Sequence, residues 1–357
     1  VFFLDNLGSV KPEIYGAQPP LELLRQFFDQ GGWYNTATVE FNGILDSTVI
    51  AAMGIPGGGL YGIPQRLMRH FVTFHLLKYS IEDDQFILNS LLTAHFKHYA
   101  NFVSEILPVS VTATLDFYKS CLQTLLPIPS KLHYIFGMRD IIRVYKGMML
   151  EPPELVTDKT NFILLWYHEM TRTFNDRFNT HSDRKWFKTT MSTVVSRHFN
   201  VSWESIEPRS QIKENNFLLF NTFCDGSQKY KKARSNHEII LNTCNQLLEE
   251  HNRDSSKQLD IVMFSEAIEH LSALSRVLSF ERGHAMLVGV KASGRKSLAR
   301  LALHTASIDP FEIAITKTYT FDEWRNDIKT LMKQCGITDI PTGFIITDVQ
   351  IIKPFQL

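Results

Sequence analysis

Residues 289–297 read GVKASGRKS, with two glycines five residues apart and Arg295, Lys296 and Ser297 directly after the second. A glycine-bearing loop leading into a helix is the layout of a phosphate-binding loop, where backbone N–H groups and the positive helix end face an anion. The consensus is GxxxxGK[ST]. Gly289 and Gly294 hold the glycine positions, and Val290, Lys291, Ala292 and Ser293 lie between them. Arg295 stands where lysine is expected, Lys296 stands where the Mg²⁺-holding hydroxyl belongs, and Ser297 arrives one place late. The spacing predicts an anion cradle without its metal ligand. The plain alternative is a strand-to-helix turn with no ligand.

Neighbouring elements must position that loop. Ala285–Val288 is an apolar run expected to be a buried strand, and Ser297–Ala306 carries Leu298, Leu301 and Leu303 at helical spacing. Beyond it come a strand at Phe311–Ile315, a helix at Phe321–Cys335 and a strand at Gly343–Thr347. Thr320 and Glu323 form a capping box at the start of that helix, and Gly336 ends it. The order predicts a parallel sheet with right-handed crossovers and a ligand at the C-terminal ends of the strands. Asp348 closes the last strand and is expected to face the same site.

A second set of candidates lies at the other end of the chain. Val1–Leu4 reads as a core strand, and Asp5-Asn6 follows it. A carboxylate just past a buried strand is how P-loop NTPases hold Mg²⁺-bound nucleotide, although a strand ending in a turn fits the same residues. A helix over Leu21–Gln30 starts after two prolines and stops at Gly31-Gly32. Strands at Ala37–Phe41 and Ser47–Met53 are expected to join across Asn42-Gly43. The glycines of 54–59 precede no Lys-Ser/Thr pair and read as a surface loop. Arg66 and Arg69 follow Pro64 on a helical turn, either as surface arginines or as a group aimed at a neighbour's phosphates.

From about Ile81 to Phe199 the pattern is helical, with segments near Asp84–Val103, Val111–Leu125, Arg139–Met149 and Lys159–Asn179. His168–Arg172 lacks the second histidine of a zinc HExxH motif, so no metal is assigned there. Val201–Asn242 is weakly periodic, and its basic run Lys229–Arg234 reads as a solvated linker face. A helix near Ile261–Leu278 places Phe264, Ile268, Leu271, Leu274 and Leu278 on one side.

Composition narrows the class. The 357 residues are 44% hydrophobic, enough to bury a large core in two or more domains. Thirty-seven basic and 37 acidic residues cancel, which argues against a whole-chain nucleic-acid or membrane-surface binder. Cys121, Cys224, Cys244 and Cys335 are scattered without a CxxC pair and read as thiols of a reducing compartment. The longest apolar run, Phe162–Tyr167, falls far short of the ~20 residues of a bilayer span. The start lacks Met and a basic n-region, so it is not read as a signal peptide. Both ends fall on or near expected core strands and read as truncated.

Several segments together resemble dynein heavy chains of the axonemal branch, in order and across nearly the whole sequence. They are FFLDNL, YGAQPPLELLRQFFDQGGWY, IAAMGIPGGG, RLMRHF, LHYIFGMRDIIRV, LLWYHEMTRTFNDR, FSEAIEHLSALSRVL, GHAMLVGVKASGRKSLARLA and FDEWRNDIKTLM. The resemblance implies α/β P-loop NTPase (AAA+) modules with a helical lid domain, here two incomplete modules joined by a mixed helical linker. It places the later part of a third module at 1–76, its lid at 77–200, a linker at 201–257 and the first part of a fourth module, with a degenerate phosphate loop, at 258–357. It implies a phosphate loop upstream of Val1 and a long coiled-coil hairpin beyond Leu357.

Residue roles follow from the same resemblance. Asp5 matches the third module's Walker B aspartate, and Asn6 stands at the catalytic-acid position. Gly54 falls where many AAA+ proteins keep a polar sensor. Arg66 matches an arginine finger directed at the preceding module, and Arg139 a lid arginine directed at the third module's own nucleotide. Gly289–Ser297 matches the fourth module's phosphate loop, Asp348 stands at its catalytic-acid position, and Thr347 replaces its Walker B aspartate. The implied ligands are ATP or ADP, with or without Mg²⁺. The implied partners are the rest of the heavy-chain ring, dynein intermediate and light chains and, through other regions, microtubules, with no nucleic acid or membrane. The implied location is the cytoplasm, the cytoskeleton and the ciliary axoneme.

Asn6 has no carboxylate to take a proton from an attacking water, and a lost general base lowers rate by roughly 10²–10⁴-fold. Both sites are therefore expected to hold nucleotide structurally or regulatorily, within an ATP-driven, minus-end-directed microtubule motor, and the isolated segment is expected to be inactive. Two rivals are a free-standing P-loop kinase, which would need an intact GK[ST], and a non-catalytic helical scaffold with a vestigial nucleotide fold.

Overall fold

The computed structural model describes residues 1–57, 59–206, 220–223, 230–232, 237–255, 257–316 and 318–351, and divides into two units, Val1–Lys78 and Tyr79–Leu357. In the first unit, β1 (Phe2–Leu4) is followed by α1 (Pro19–Gln30), where two prolines preset the first turn and need no N–H donor there. Gly31, at φ 75°, ends the helix in the left-handed conformation that glycine adopts without strain. Next come β2 (Gly32–Tyr34), β3 (Phe41–Gly43), β4 (Val49–Ala51) and α2 (Gln65–Met68). β1 and β4 pair in parallel with Phe3 opposite Ile50. Leu7, Leu21 and Leu67 form a small core that Leu4 and Ala51 touch.

Two expectations fail in this unit. Asn42-Gly43 is not a turn but part of β3, antiparallel to β2 with Gly32 opposite Gly43. The reversal lies in Asn35–Val39, closed by the Asn35 N–H on the Glu40 carbonyl at 2.8 Å. A Cβ on Gly32 would strike the Asn42 carbonyl, so the glycine permits close strand approach. Phe2 and Phe3 are 58% and 64% exposed, because β1 has one strand neighbour and only Leu4 reaches the core.

The second unit opens with α3 (Ile81–His95), α4 (Asn101–Thr124), α5 (Met138–Met148), α6 (Lys159–Thr173) and α7 (His181–Phe199). Ser80, Asp158 and Thr180 cap α3, α6 and α7 with side-chain oxygens, satisfying amides the helices cannot. α4 continues through Pro108, where the sequence pattern breaks. Inside the bundle Thr114 donates to the Ser110 carbonyl at 2.7 Å and accepts from Trp166 at 2.9 Å, and its contact with Tyr145 is 3.0 Å. Every polar group of that buried cluster is thus served.

α8 (Trp203–Ile206) and an antiparallel pair, β5 (Phe220–Asn221) and β6 (Lys231–Lys232), follow. Phe220 and Tyr230 join the core of the helical bundle. Then come α9 (His237–Asp254), α10 (Ser265–Leu278), α11 (Arg295–Thr305), β7 (Asp309–Glu312), α12 (Phe321–Gly336) and β8 (Thr342–Ile345). β7 and β8 pair in parallel, Phe311 opposite Phe344, with α12 as the crossover that the capping box of Thr320 and Glu323 starts.

Three more expectations are corrected. Ala285–Val288 is neither strand nor buried: Met286 and Val288 are 90% and 89% exposed. A strand exists only by pairing, and neither β7 nor β8 pairs with it. The stretch 201–257 is more than a linker, since α9 puts Ile240 and Cys244 into one core with Ile268, Leu271, Leu298 and Leu301. Within Lys229–Arg234, Tyr230 is buried and Lys232 half-buried, so the described part is no solvated face; residues 229, 233 and 234 lie outside the described residues. Cys121 and Cys244 are buried and Cys335 is exposed, while Cys224 lies outside the described residues.

Candidate nucleotide site

The first turn of α11 and the loop before it carry the candidate phosphate cradle. The loop 289–293 is exposed, and the chain reaches the helix through Ala292 at φ 63° and Gly294 at φ 74°. A Cβ on Gly289 would sit 3.2 Å from the Ser293 hydroxyl and 3.7 Å from the Arg295 Cδ, so the first glycine leaves the interior of the loop open. Among the described residues the first amide bonded at this end is that of Leu298, to the Gly294 carbonyl at 2.9 Å. The amides of Arg295, Lys296 and Ser297 remain for a ligand, as at any helix start. Arg295 has no ion-pair partner among the described residues.

Lys296 is engaged elsewhere. Its Nζ lies 3.1 Å from Glu312 of β7, which also binds Arg300 through both oxygens, at 2.5 and 2.8 Å, and Lys257 at 3.2 Å. The Arg300 hydrogen bond, against the opposing cost of burial, holds the Glu312 carboxyl down at about 2. A cavity of about 220 Å³ beside this cluster is lined by His251, Lys257, Arg300, Phe311 and Glu312. Sequence reading missed Glu312: one acidic residue on a short strand carries no pattern, and only the packing of α11 on β7 gives it partners.

The strand end that should face the loop is differently built. β8 stops at Ile345, and Thr347 uses its amide at 2.8 Å and its hydroxyl at 3.0 Å to bind the Gln350 side chain. Gln350 in turn donates to the Ile313 carbonyl at 2.5 Å. Asp348 is exposed, and no hydrogen bond or ion pair joins it to 289–297. Mg²⁺ is usually held by one or two carboxylates or hydroxyls plus substrate phosphates. Here its hydroxyl position is an ammonium on Glu312 and its aspartate position is a threonine on Gln350, so the residues present do not fit the ion. Among the described residues no group of three or more His, Cys, Asp or Glu could hold a metal.

In the first unit, Asp5 is exposed and accepts the Asn6 N–H at 3.0 Å. Asn6 adopts φ 56°, ψ 49°, a left-handed conformation that asparagine tolerates better than most residues. Gly54 is exposed in an irregular segment. Arg66 lies on α2, and its guanidinium is 2.8 Å from Glu22 of α1. Glu22 is the first member of an alternating ladder that continues through Arg25 and Asp29 to Arg69, which stands 2.8 Å from Asp29. Arg139 is exposed near the start of α5 in the second unit.

Glu169 of α6 lies beside Arg276 of α10, and Tyr230 donates to it at 2.6 Å. On the same two helices Arg172 pairs with Glu269. The segment weighed as half a zinc motif therefore holds a buried ion pair, with its Glu169 committed to Arg276.

Family comparison agrees with this architecture. A "P-loop containing dynein motor region" matches residues 1–79, an "AAA+ lid domain" residues 110–207, and a "P-loop containing dynein motor region D4" residues 259–356. The chain is thus built of P-loop modules of the AAA+ class with a helical lid. It is 34% identical over 365 residues to Dynein axonemal heavy chain 1 of Mus musculus, covering 98% of this chain and 8% of that protein. Dynein axonemal heavy chain 3 of Mus musculus is 35% identical over 98% of this chain and 9% of its own length. For Dynein axonemal heavy chain 12 of Homo sapiens the figures are 34%, 93% and 11%. The chain belongs to the dynein heavy-chain family. It spans 8–11% of the length of these relatives.

Proposed function

We propose that the chain forms part of the motor ring of an axonemal dynein heavy chain, a minus-end-directed, ATP-driven microtubule motor of the ciliary axoneme. In this reading residues 1–76 and 258–357 are parts of the third and fourth modules, and 77–200 is the lid between them. Both modules bind ATP or ADP in a structural or regulatory role, and fast hydrolysis belongs to a module outside the chain. Intermediate chains, light chains and microtubules are partners of the whole motor. The single observation that carries the non-hydrolytic role is the diversion of Lys296 to Glu312 while Thr347 binds Gln350. Asn6 supports the same role in the third module, since an amide cannot take a proton from an attacking water.

The test uses the intact heavy chain and a nucleotide with a photoreactive group on its terminal phosphate, with cross-links mapped to peptides. Labelling of 289–297 is expected, with loss in Arg295→Ala and little change in overall ATP turnover. Collapse of turnover in Arg295→Ala would assign hydrolysis to this site. No labelling of the loop under any condition would leave the scaffold reading.

A further inference from the structure

We propose that the 289–297 loop takes its nucleotide as the metal-free polyphosphate, with the Lys296 ammonium supplying the positive charge that Mg²⁺ brings to an ordinary phosphate loop. The inference rests on the nucleotide reading above and extends it to the ionic form of the ligand.

The argument begins from charge. Glu312 is one carboxylate facing three cations, Arg300, Lys296 and Lys257. Arg300 already engages both of its oxygens, at 2.5 and 2.8 Å, whereas Lys296 and Lys257 share Oε2 at 3.1 and 3.2 Å. Lys296 can therefore leave without stranding the carboxylate. Its side chain is 40% exposed and springs from the first turn of α11, one residue past Arg295. A lysine stem reaches several ångströms and carries a compact charge with three donors, which suits a phosphate oxygen. With Arg295 unpaired among the described residues, the loop presents two cations and the amides of a helix start to an anion.

The same arrangement works against the metal. An ion at the Mg²⁺ position would meet the Lys296 ammonium as a like charge instead of a hydroxyl ligand. The carboxylate that would orient its water shell is replaced by Thr347, which is committed to Gln350. Asp348 is an exposed carboxylate with no tie to the loop among the described residues, and Glu312 is taken up by Arg300 and Lys257 as well as Lys296. Mg²⁺-chelated nucleotide therefore brings a cation where the protein already has one.

The phosphate-directed photolabel on the intact heavy chain, with site mapping, tests this in EDTA and in Mg²⁺. Labelling of 289–297 in EDTA is expected to equal or exceed labelling in Mg²⁺. Lys296→Ser should lower the EDTA signal and regain it with Mg²⁺, whereas Lys296→Arg should keep the parental pattern. Labelling that requires Mg²⁺ in the parent chain overturns the inference and leaves the nucleotide reading standing. Absence of labelling in both media, with other modules of the same molecule labelled, overturns the nucleotide reading and the inference with it.

Discussion

Glu169 on α6 and Arg276 on α10 form an ion pair inside the protein, the carboxylate fully buried and the guanidinium Nε 2.8 Å from it. Tyr230 donates to the other carboxylate oxygen at 2.6 Å, so the charge is hydrogen-bonded on both sides. The pair joins the helical bundle to the core of α9, α10 and α11.

Removing one member should cost far more than removing both. Arg276→Leu leaves a buried, uncompensated carboxylate and is expected to destabilise by about 3–5 kcal/mol. Adding Glu169→Leu to it should recover most of that loss. Urea unfolding of the single and double variants checks this; equal stabilities for the two would refute the account.

Gly147 tests the same joint from α5. Alanine normally favours a helix interior over glycine by about 1 kcal/mol. Here a Cβ would fall on the Glu169 carboxylate and the Arg276 guanidinium, both held in place. Gly147→Ala should therefore destabilise, and a raised melting temperature would contradict the packing described.

Glu312 predicts a loss of stability in acid. Its carboxyl is held at about 2, below its ordinary 4.5, chiefly by the Arg300 hydrogen bond. A group depressed on folding contributes stability that is present above the unfolded value and lost as pH falls through the folded one. Unfolding midpoints should drop between about pH 4.5 and 2, and Glu312→Gln should flatten that part of the profile.

Glu151 predicts the opposite slope near neutrality. Burial pushes its carboxyl up to about 7, and its Oε2 has no hydrogen-bond partner among the described residues. The folded state then binds the proton more tightly than the unfolded state, so stability declines as pH rises from 4.5 to about 7. Glu151→Gln should gain up to roughly 3 kcal/mol at pH 8 relative to its parent. A pH-independent difference between the two would remove burial as the cause.

Arg66 separates a surface role from a catalytic one. In its pair with Glu22 the arginine is exposed and the carboxylate half-buried, and surface pairs contribute about 0–1 kcal/mol. Arg66→Ala should leave the melting temperature nearly unchanged. In the arginine-finger reading, which assigns such a group about 10³–10⁵ in rate, ATP turnover of the intact heavy chain should fall steeply. Unchanged turnover would reduce Arg66 to its ladder with Glu22.

Much of the helical content is legible in the sequence because helices report themselves locally. Thr320 and Glu323 announce α12, the prolines and Gly31 bracket α1, and apolar spacing marks α10. Strands mislead here because their evidence is non-local. Asn42-Gly43 has the composition of a turn, yet Gly32 draws it into β3. Ala285–Val288 has the composition of a buried strand, yet no described strand pairs with it. The helix α9 does carry Ile240, Cys244, Leu247 and Leu248 at helical spacing, but its first turns fall in a weakly periodic stretch, and its packing against α10 and α11 is what makes it core.

By itself the sequence determines most of the helices, the glycine spacing of 289–294, and the absence of a carboxylate at Asn6 and of a hydroxyl at Lys296, because these depend on residue type and short-range geometry. Tertiary structure alone decides what those residues touch: Glu312 reaches Lys296 only through the packing of α11 on β7, and Arg276 reaches Glu169 across 107 positions of chain. Charge acts through distance in space, and a linear sequence does not carry that distance.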